Sequence, residues 1–437
     1  MARTCVALLL LVPSSVARPA SGQEAGAQAP MIGQRAPTLG ADLFFANDFS
    51  PLIDAWRDKQ QGDEMAAAFQ AAGLKSLRFS SHGYYSAGGE EATRQVKAEN
   101  KLTNQFPWFP LDNYVDFIAT HDFTTVFGVN VEEGAQAAVD AVQKFLSRGL
   151  QAKLVAVELS NEPWLNYRPW QPEEYAARAA EVIERLTPLG VRLALPLTVG
   201  NDNNTPTKLT DTAWNTRMLR ALTRRVDLKN RTDIYGVLHL YSGGVRSKSV
   251  DYFNQIVRPF APRMRYLVTE FNIRLSLEGN PHLTNKYALE MARKLADVMH
   301  RPEIDAMYIH AVPYHSVLYW ANRRGRVTVV GQRDERLKGE ALNRGWHLTP
   351  AGQVYSFYSR LAWNGDVLWF RGGDHQSYWA VRTGDGREVI TLLNDDNRAA
   401  KQKVKFAGRE LQLTAPPRAI VCFAANGQEI ERLVLPY

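Results

Sequence analysis

Leu154-Val155-Ala156-Val157-Glu158-Leu159-Ser160-Asn161-Glu162-Pro163 is the stretch on which the reading of the chain turns. Its apolar run predicts a strand, and its last four residues predict a polar turn at the strand's C-terminal tip. Pro163 has no N–H to donate and holds the chain in that turn. A second apolar run, Tyr266-Leu267-Val268-Thr269, leads to Glu270 in the same way. Two carboxylates thus fall at the tips of two strands that lie far apart in sequence.

Outward from this stretch, short apolar runs alternate with longer amphipathic segments, the pattern of repeated βα units. Strands are predicted at 42–45, 76–79, 124–128, 154–159, 192–198, 234–240, 266–269 and 306–310. Helices are predicted at 65–72, 111–120, 137–147, 173–186, 212–225, 251–259 and 287–300. The helix at 173 starts with Pro172 in its first turn and Glu173-Glu174 against the positive end of the dipole. Eight such strands fit a (β/α)8 TIM barrel, in which chemistry sits at the C-terminal tips. A doubly wound open sheet is the competing fold, and no Gly-rich dinucleotide fingerprint follows the first strand to support it.

Near Ala362 the pattern changes to short alternating strands between turns such as Thr383-Gly384-Asp385-Gly386 and Asn394-Asp395-Asp396-Asn397. Seven strands at 367–370, 377–381, 389–393, 402–406, 411–414, 419–423 and 429–435 predict a small all-β sandwich. A helix from Pro350 to Leu361 joins the two parts. The predicted division is therefore a signal peptide at 1–22, a flexible leader at 23–37, a catalytic barrel at 38–361 and a β-sandwich at 362–437.

The chain has 437 residues, 45% hydrophobic and 22% charged, as expected of an ordinary globular protein of two domains. The start, with Arg3 followed by the apolar run from Val6 to Val12 and small residues to Gly22, has the form of a secretory signal. That run is too short to span a bilayer; an uncleaved anchor is the alternative. Export predicts a secreted or periplasmic protein with no integral membrane span after cleavage. Cys5 lies in the signal and Cys422 would stand alone, so no intramolecular disulfide is expected. The net charge of +7 is scattered. It is read as solvated surface, with a mild preference for anionic glycans as the other reading, and no long basic run points to nucleic acid. Neither metal-ligand spacing nor a Gly-x-Ser-x-Gly elbow appears, so no metal and no cofactor is expected.

Two separated carboxylates are what cleavage of a glycosidic bond requires: one protonates the leaving oxygen, the other attacks or stabilises the sugar carbon. At this point the residues resemble a known group. Val157-Glu158-Leu159-Ser160-Asn161-Glu162-Pro163 resembles the fourth-strand motif of clan A glycoside hydrolases, and Leu267-Val268-Thr269-Glu270-Phe271-Asn272 resembles their seventh-strand motif. The strand count places them fourth and seventh. The resemblance implies Glu162 as general acid/base, Glu270 as nucleophile, and retention of configuration. It implies further that Arg78, in Leu77-Arg78-Phe79-Ser80, neighbours the nucleophile, and that Tyr241, in His239-Leu240-Tyr241, hydrogen-bonds it. Asn161 would contact the sugar 2-hydroxyl, and His239 joins the substrate-binding set.

The chain departs from that pattern at the eighth strand, where clan members often carry a tryptophan. Here the tip reads Ile309-His310-Ala311-Val312-Pro313-Tyr314-His315, with Trp320 beyond, and Tyr314 or Trp320 is expected to supply the sugar's floor. Trp108, Trp164 and Trp170 fall in predicted tip loops, where they either stack on sugars or anchor packing. The layout is that of families 39, 30, 51 and 79. The expected partner is a polysaccharide or oligosaccharide; a non-catalytic glycan-binding or assembly protein and a transglycosylase are the alternatives.

Overall fold

The computed structural model describes residues 33–43, 58–79, 111–164, 170–198, 208–242, 249–273, 283–312, 317–321, 327–329, 332–333, 345–373 and 375–435. The signal at 1–22, most of the leader, and the segment from Ser80 to Pro110 with Trp108 lie outside them, as does Tyr314. Eight parallel strands close into a barrel: β2 (Thr38–Leu43), β3 (Ser76–Phe79), β4 (Thr124–Val129), β5 (Leu154–Leu159), β6 (Leu193–Pro196), β7 (Ile234–Ser242), β8 (Tyr266–Ile273) and β9 (Ile304–Val312). β9 returns to pair with β2. Each is followed by a described helix: α1 (Lys59–Ala71), α2 (Leu111–His121), α3 (Gly134–Leu146), α4 (Pro172–Leu186), α5 (Asp211–Leu222), α6 (Val250–Val257), α7 (Asn285–Met299) and α8 (Pro350–Phe357).

Helix starts are set by side chains that accept an orphan N–H three residues on. Asp58, Thr210, Ser249, Thr284 and Thr349 do this for α1, α5, α6, α7 and α8. The barrel interior is a packed layer of Val126, Ala156, Ala194, Tyr235, Val237, Leu267, Ala306 and Tyr308. Gly40 is required there: a Cβ on it would lie 2.6 Å from the Ser76 carbonyl oxygen and from the Tyr308 ring.

Two residues further along their strands, the same inward positions become ionisable. Gly40 is followed by Asp42, Ser76 by Arg78, Ala156 by Glu158, Val237 by His239 and Tyr308 by His310. The period of two along a strand therefore stacks a charged layer on the apolar one at the C-terminal mouth. β8 breaks the period. Its register against β7 slips between Leu238 and His239, so that Leu238 faces Val268 while His239 faces Glu270. The extra residue, Thr269, lets both Leu267 and Glu270 point inward, while Val268, Phe271 and Ile273 pack outward.

After β9 the chain makes an excursion that sequence reading does not anticipate. It is a four-stranded antiparallel sheet of β10 (Leu318–Ala321), β11 (Val327–Val329), β12 (Gln332–Arg333) and β13 (Gly345–Leu348). The C-terminal part contains β14 (Gly365–Arg371), β15 (Gln376–Thr383), β16 (Glu388–Asn394), β17 (Ala400–Phe406), β18 (Arg409–Ala415), β19 (Ala419–Ala424) and β20 (Glu429–Val434). Five of these join a six-stranded sheet, and the hairpin β17–β18 covers one of its faces. Leu368, Ile390, Leu392, Val404, Phe406, Leu413 and Val421 fill the space between. The sixth strand is β1 (Gln34–Arg35), which pairs with β14. Residues 34 and 35, counted by sequence reading in a flexible leader, are thus part of the sandwich, because the edge of β14 offers them a ladder.

Candidate active site

Arg78 organises the mouth of the barrel. Its guanidinium is wholly buried, and all five of its N–H groups have an acceptor. Nε donates to Glu158 Oε2 at 2.8 Å and Nη2 to Glu158 Oε1 at 2.6 Å, a bidentate pair. Nη2 also donates to Asn161 Oδ1 at 2.5 Å. Nη1 donates to Asp42 Oδ1 and to Glu270 Oε1, both at 3.0 Å. Burial alone would favour loss of the proton, but Glu158, Asp42 and Glu270 outweigh it and hold Arg78 firmly cationic.

The turn after β5 is strained where it carries the chemistry. Ser160 and Glu162 have φ of 68° and 42°, in the left-handed region that non-glycine residues seldom occupy. Each such residue costs on the order of 1–3 kcal/mol and persists only where its surroundings fix it. Here Ser160 N donates to Val129 O at 2.8 Å, and Ser160 Oγ accepts from Val131 N at 3.0 Å. Tyr175 on α4 donates to Leu159 O at 2.7 Å, and Arg78 grips Asn161. The result presents Glu162 at the mouth, with about a quarter of its side chain exposed.

Glu270, from the bulged strand, faces it. A carboxylate oxygen of each lies within 4.8 Å of the other, and His239 stands between them. His239 Nδ1 is 3.0 Å from Glu162 Oε1 and 3.3 Å from Glu270 Oε2. Its Nε2 is buried with no partner among the described residues. Tyr241 donates its hydroxyl to Glu270 Oε2 at 2.5 Å. Burial would raise the Glu270 pKa, but His239, His310, Arg78 and the Tyr241 hydroxyl together hold it well below the ordinary carboxylate range. His239 is raised above its ordinary value, since Glu270 and Glu162 outweigh the cost of burying its charge. Desolvation and the Glu270 charge push Tyr241 far up, so it remains a neutral donor.

The structure brings together Glu162, Glu270, Asn161, Arg78, His239 and Tyr241, all singled out from sequence. Of the three tryptophans read as platforms or packing anchors, the two among the described residues are anchors. Trp164 is buried edge-on against Trp214, 5.4 Å between centroids, and Trp170 is buried with Nε1 donating to Glu132 at 2.9 Å. Of Trp320 only the backbone is described, opposite Thr328 and Trp346 in the excursion sheet. Sequence reading passes over Asp42, Glu158 and His310 as site residues. The available signal is an ionisable residue at an inward, period-two position of an apolar strand, facing an arginine that must be balanced. Asp42/Glu270/His310 and Glu162/His239/Glu270 each offer donor atoms of a kind that bind metals. Arg78, 3.0 Å from both Asp42 and Glu270, opposes a further cation there.

No protein-family model and no curated protein matches the sequence. Solved structures do match in fold. A GH51 arabinofuranosidase from Xanthomonas axonopodis pv. citri superimposes with a TM-score of 0.55 at 16% identity, over 94% of this chain and 95% of that one. The endo-β1,6-glucanase BT3312 gives 0.54 at 12% identity, over 90% and 92%. A Paenibacillus polymyxa xyloglucanase from glycoside hydrolase family 44 gives 0.51 at 10% identity, over 88% and 95%. At these identities the likeness is one of fold: a (β/α)8 barrel followed by a β-sandwich, spanning nearly the whole chain.

Proposed function

We propose that the protein is a retaining glycoside hydrolase that cleaves O-glycosidic bonds of a polysaccharide or oligosaccharide. The observation that carries this reading is the pair of carboxylates, within 4.8 Å of one another at the tips of the fourth and seventh barrel strands. Retaining enzymes hold their carboxyls about 5–5.5 Å apart, inverting ones about 6.5–9.5 Å to make room for water. Here one oxygen of each carboxylate contacts the same imidazole nitrogen, His239 Nδ1, at 3.0 and 3.3 Å, and that closeness supports double displacement. That the fold is one used by three named glycan-cleaving enzymes agrees with it.

In the first step Glu162 gives its proton to the glycosidic oxygen while Glu270 attacks the anomeric carbon. The carbon–oxygen bond breaks, the leaving alcohol departs, and a glycosyl ester of Glu270 remains. In the second, Glu162 takes a proton from water, whose oxygen displaces Glu270 and restores both groups. Negative charge therefore moves from Glu270 to Glu162 and back, and His239 Nδ1, in contact with both, serves whichever is charged. Arg78 and Tyr241 keep the nucleophile ionised and aimed, and Asn161 is placed to meet a sugar hydroxyl. The signal-like sequence at 1–22 fits an exported enzyme, and no described helix is long and apolar enough to cross a membrane.

A panel of polysaccharides and nitrophenyl glycosides identifies the sugar. Fluorinated aryl glycosides of the sugars turned over then test the mechanism by intact mass. A stoichiometric adduct that disappears in Glu270→Gln supports the assignment. Hydrolysis with inversion, or an adduct on another residue, overturns it. A transglycosylase would show the same adduct but pass the sugar to a glycan acceptor.

A further inference from the structure

The two-carboxylate chemistry leaves one pair of groups at the mouth unused, Asp42 and His310. His310 Nδ1 lies 2.6 Å from Asp42 Oδ2 and 3.8 Å from Glu270 Oε2. The residue is held at its ring and at its backbone. Its Nδ1 meets Asp42, which is itself buried and held through Oδ1 by Arg78. Its backbone carbonyl accepts from Asn272 Nδ2, and Asn272 Oδ1 accepts from the Tyr287 hydroxyl of α7 at 2.6 Å. Tyr241 packs against the ring edge to face, at 5.9 Å and 82°. About a quarter of the side chain remains exposed at the mouth.

Charge balance shows what the ring can do there. Arg78 is a single cation shared by Asp42, Glu158 and Glu270, and four of its five N–H groups are committed elsewhere than Glu270. It reaches only Oε1 of Glu270. The other oxygen, Oε2, faces Tyr241, which supplies a hydrogen bond without charge, and the two histidines. We propose that His310 is a positioning residue for Glu270: pinned by Asp42, its imidazolium keeps the carboxylate ionised through its charge, at the barrel tip where the sequence departs from the tryptophan of the clan it resembles. This inference rests on the reading of Glu270 as nucleophile.

Among the described residues, the groups that face His310 include Asp42 of β2, Arg78 of β3, Tyr241 of β7 and Glu270 of β8. Burial and Arg78 disfavour the imidazolium, but Glu270 and Asp42 outweigh them and raise the His310 pKa above its ordinary 6.5. Because Asp42 is not consumed in the reaction, it retains the proton on His310 after Glu270 has become an ester. The device therefore needs no proton transfer of its own.

Two measurements on the full chain test this. In the first, the Cε1 resonances of the histidines are followed against pH, with His310 assigned by its loss in His310→Gln. His310 is expected to titrate above the ordinary range, and Glu270→Gln to lower its midpoint by about one pH unit or more. A midpoint that Glu270→Gln leaves in place overturns the proposal, whether or not the protein hydrolyses glycans. In the second, kcat/KM for a nitrophenyl glycoside turned over by the wild type is measured against pH. His310→Gln retains a donor to Asp42 without the charge, and is expected to move the acidic limb upward by about one pH unit and to lower kcat more than it raises KM. An unmoved acidic limb overturns the proposal. A wild type inactive on every glycoside would instead count against the glycosidase reading, and the first measurement would still decide the role of His310.

Discussion

At the scale of single residues, the site is a buried ion network in which every member depends on the others. Replacing one partner of such a network leaves charges unpaired, which costs about 3–5 kcal/mol. Arg78→Met is therefore expected to lose about that much in urea unfolding, since it strands Asp42, Glu158 and Glu270 together. Stability should also depend on pH in a defined window. Glu270 is depressed in the folded state, so its contribution is present above its unfolded value, near 4.5, and is lost as pH falls through the folded one. His239 and His310 are raised, so theirs is complete below 6.5 and lost as pH rises through the folded values. From these groups, the urea midpoint should peak between pH 4.5 and 6.5. In His310→Gln the alkaline fall should be shallower.

At the scale of elements, strand order and the two glutamates are legible because a turn motif marks each tip and the apolar period marks each strand. What is not legible is the phase of β8. Reading Tyr266-Leu267-Val268-Thr269 as a regular strand places Leu267 and Thr269 on one face and Glu270 on the other. The slip at Thr269 restores Glu270 to the interior, and it follows from register against β7, a contact that local pattern does not encode. Asp42 escaped for a related reason. Local pattern starts its strand at Asp42, whereas β2 starts at Thr38, so its inward period begins at Gly40. The closeness of Gly40 to Tyr308 makes a test. Gly40→Ala should force β2 from β9, costing roughly 1–3 kcal/mol or more and separating Asp42 from His310. Thermal unfolding with and without the substitution measures the cost; an unchanged midpoint would mean that the barrel wall yields freely there.

At the scale of the molecule, the barrel and sandwich are joined too closely to be independent. The six-stranded sheet buries one face under its hairpin and the other against the barrel. Trp379 Nε1 donates to Ala362 O at 2.8 Å, Trp363 Nε1 donates to Pro37 O at 2.5 Å, and Phe370 stacks on His300 at 4.3 Å. Strand β1 stitches the beginning of the described chain into the same sheet. Turn spacing makes the seven strands of the sandwich legible in the sequence; the eighth contributor comes from the other end of the chain, where no local signal exists. Residues 33–361 made alone are expected to aggregate or to unfold without cooperativity, as judged by gel filtration and calorimetry, since Tyr358 would lose the cover of Trp363 and Trp379. A monodisperse barrel with a sharp transition would show that the sandwich is dispensable.

The central claim, that the barrel holds its two glutamates as nucleophile and acid/base, is met most directly by chemical rescue. Glu270→Ala should abolish turnover of an activated aryl glycoside, and added azide should restore it by entering the vacated space, giving a glycosyl azide of inverted configuration by NMR. Wild-type-like turnover in Glu270→Ala, or an azide product of retained configuration, would contradict the account.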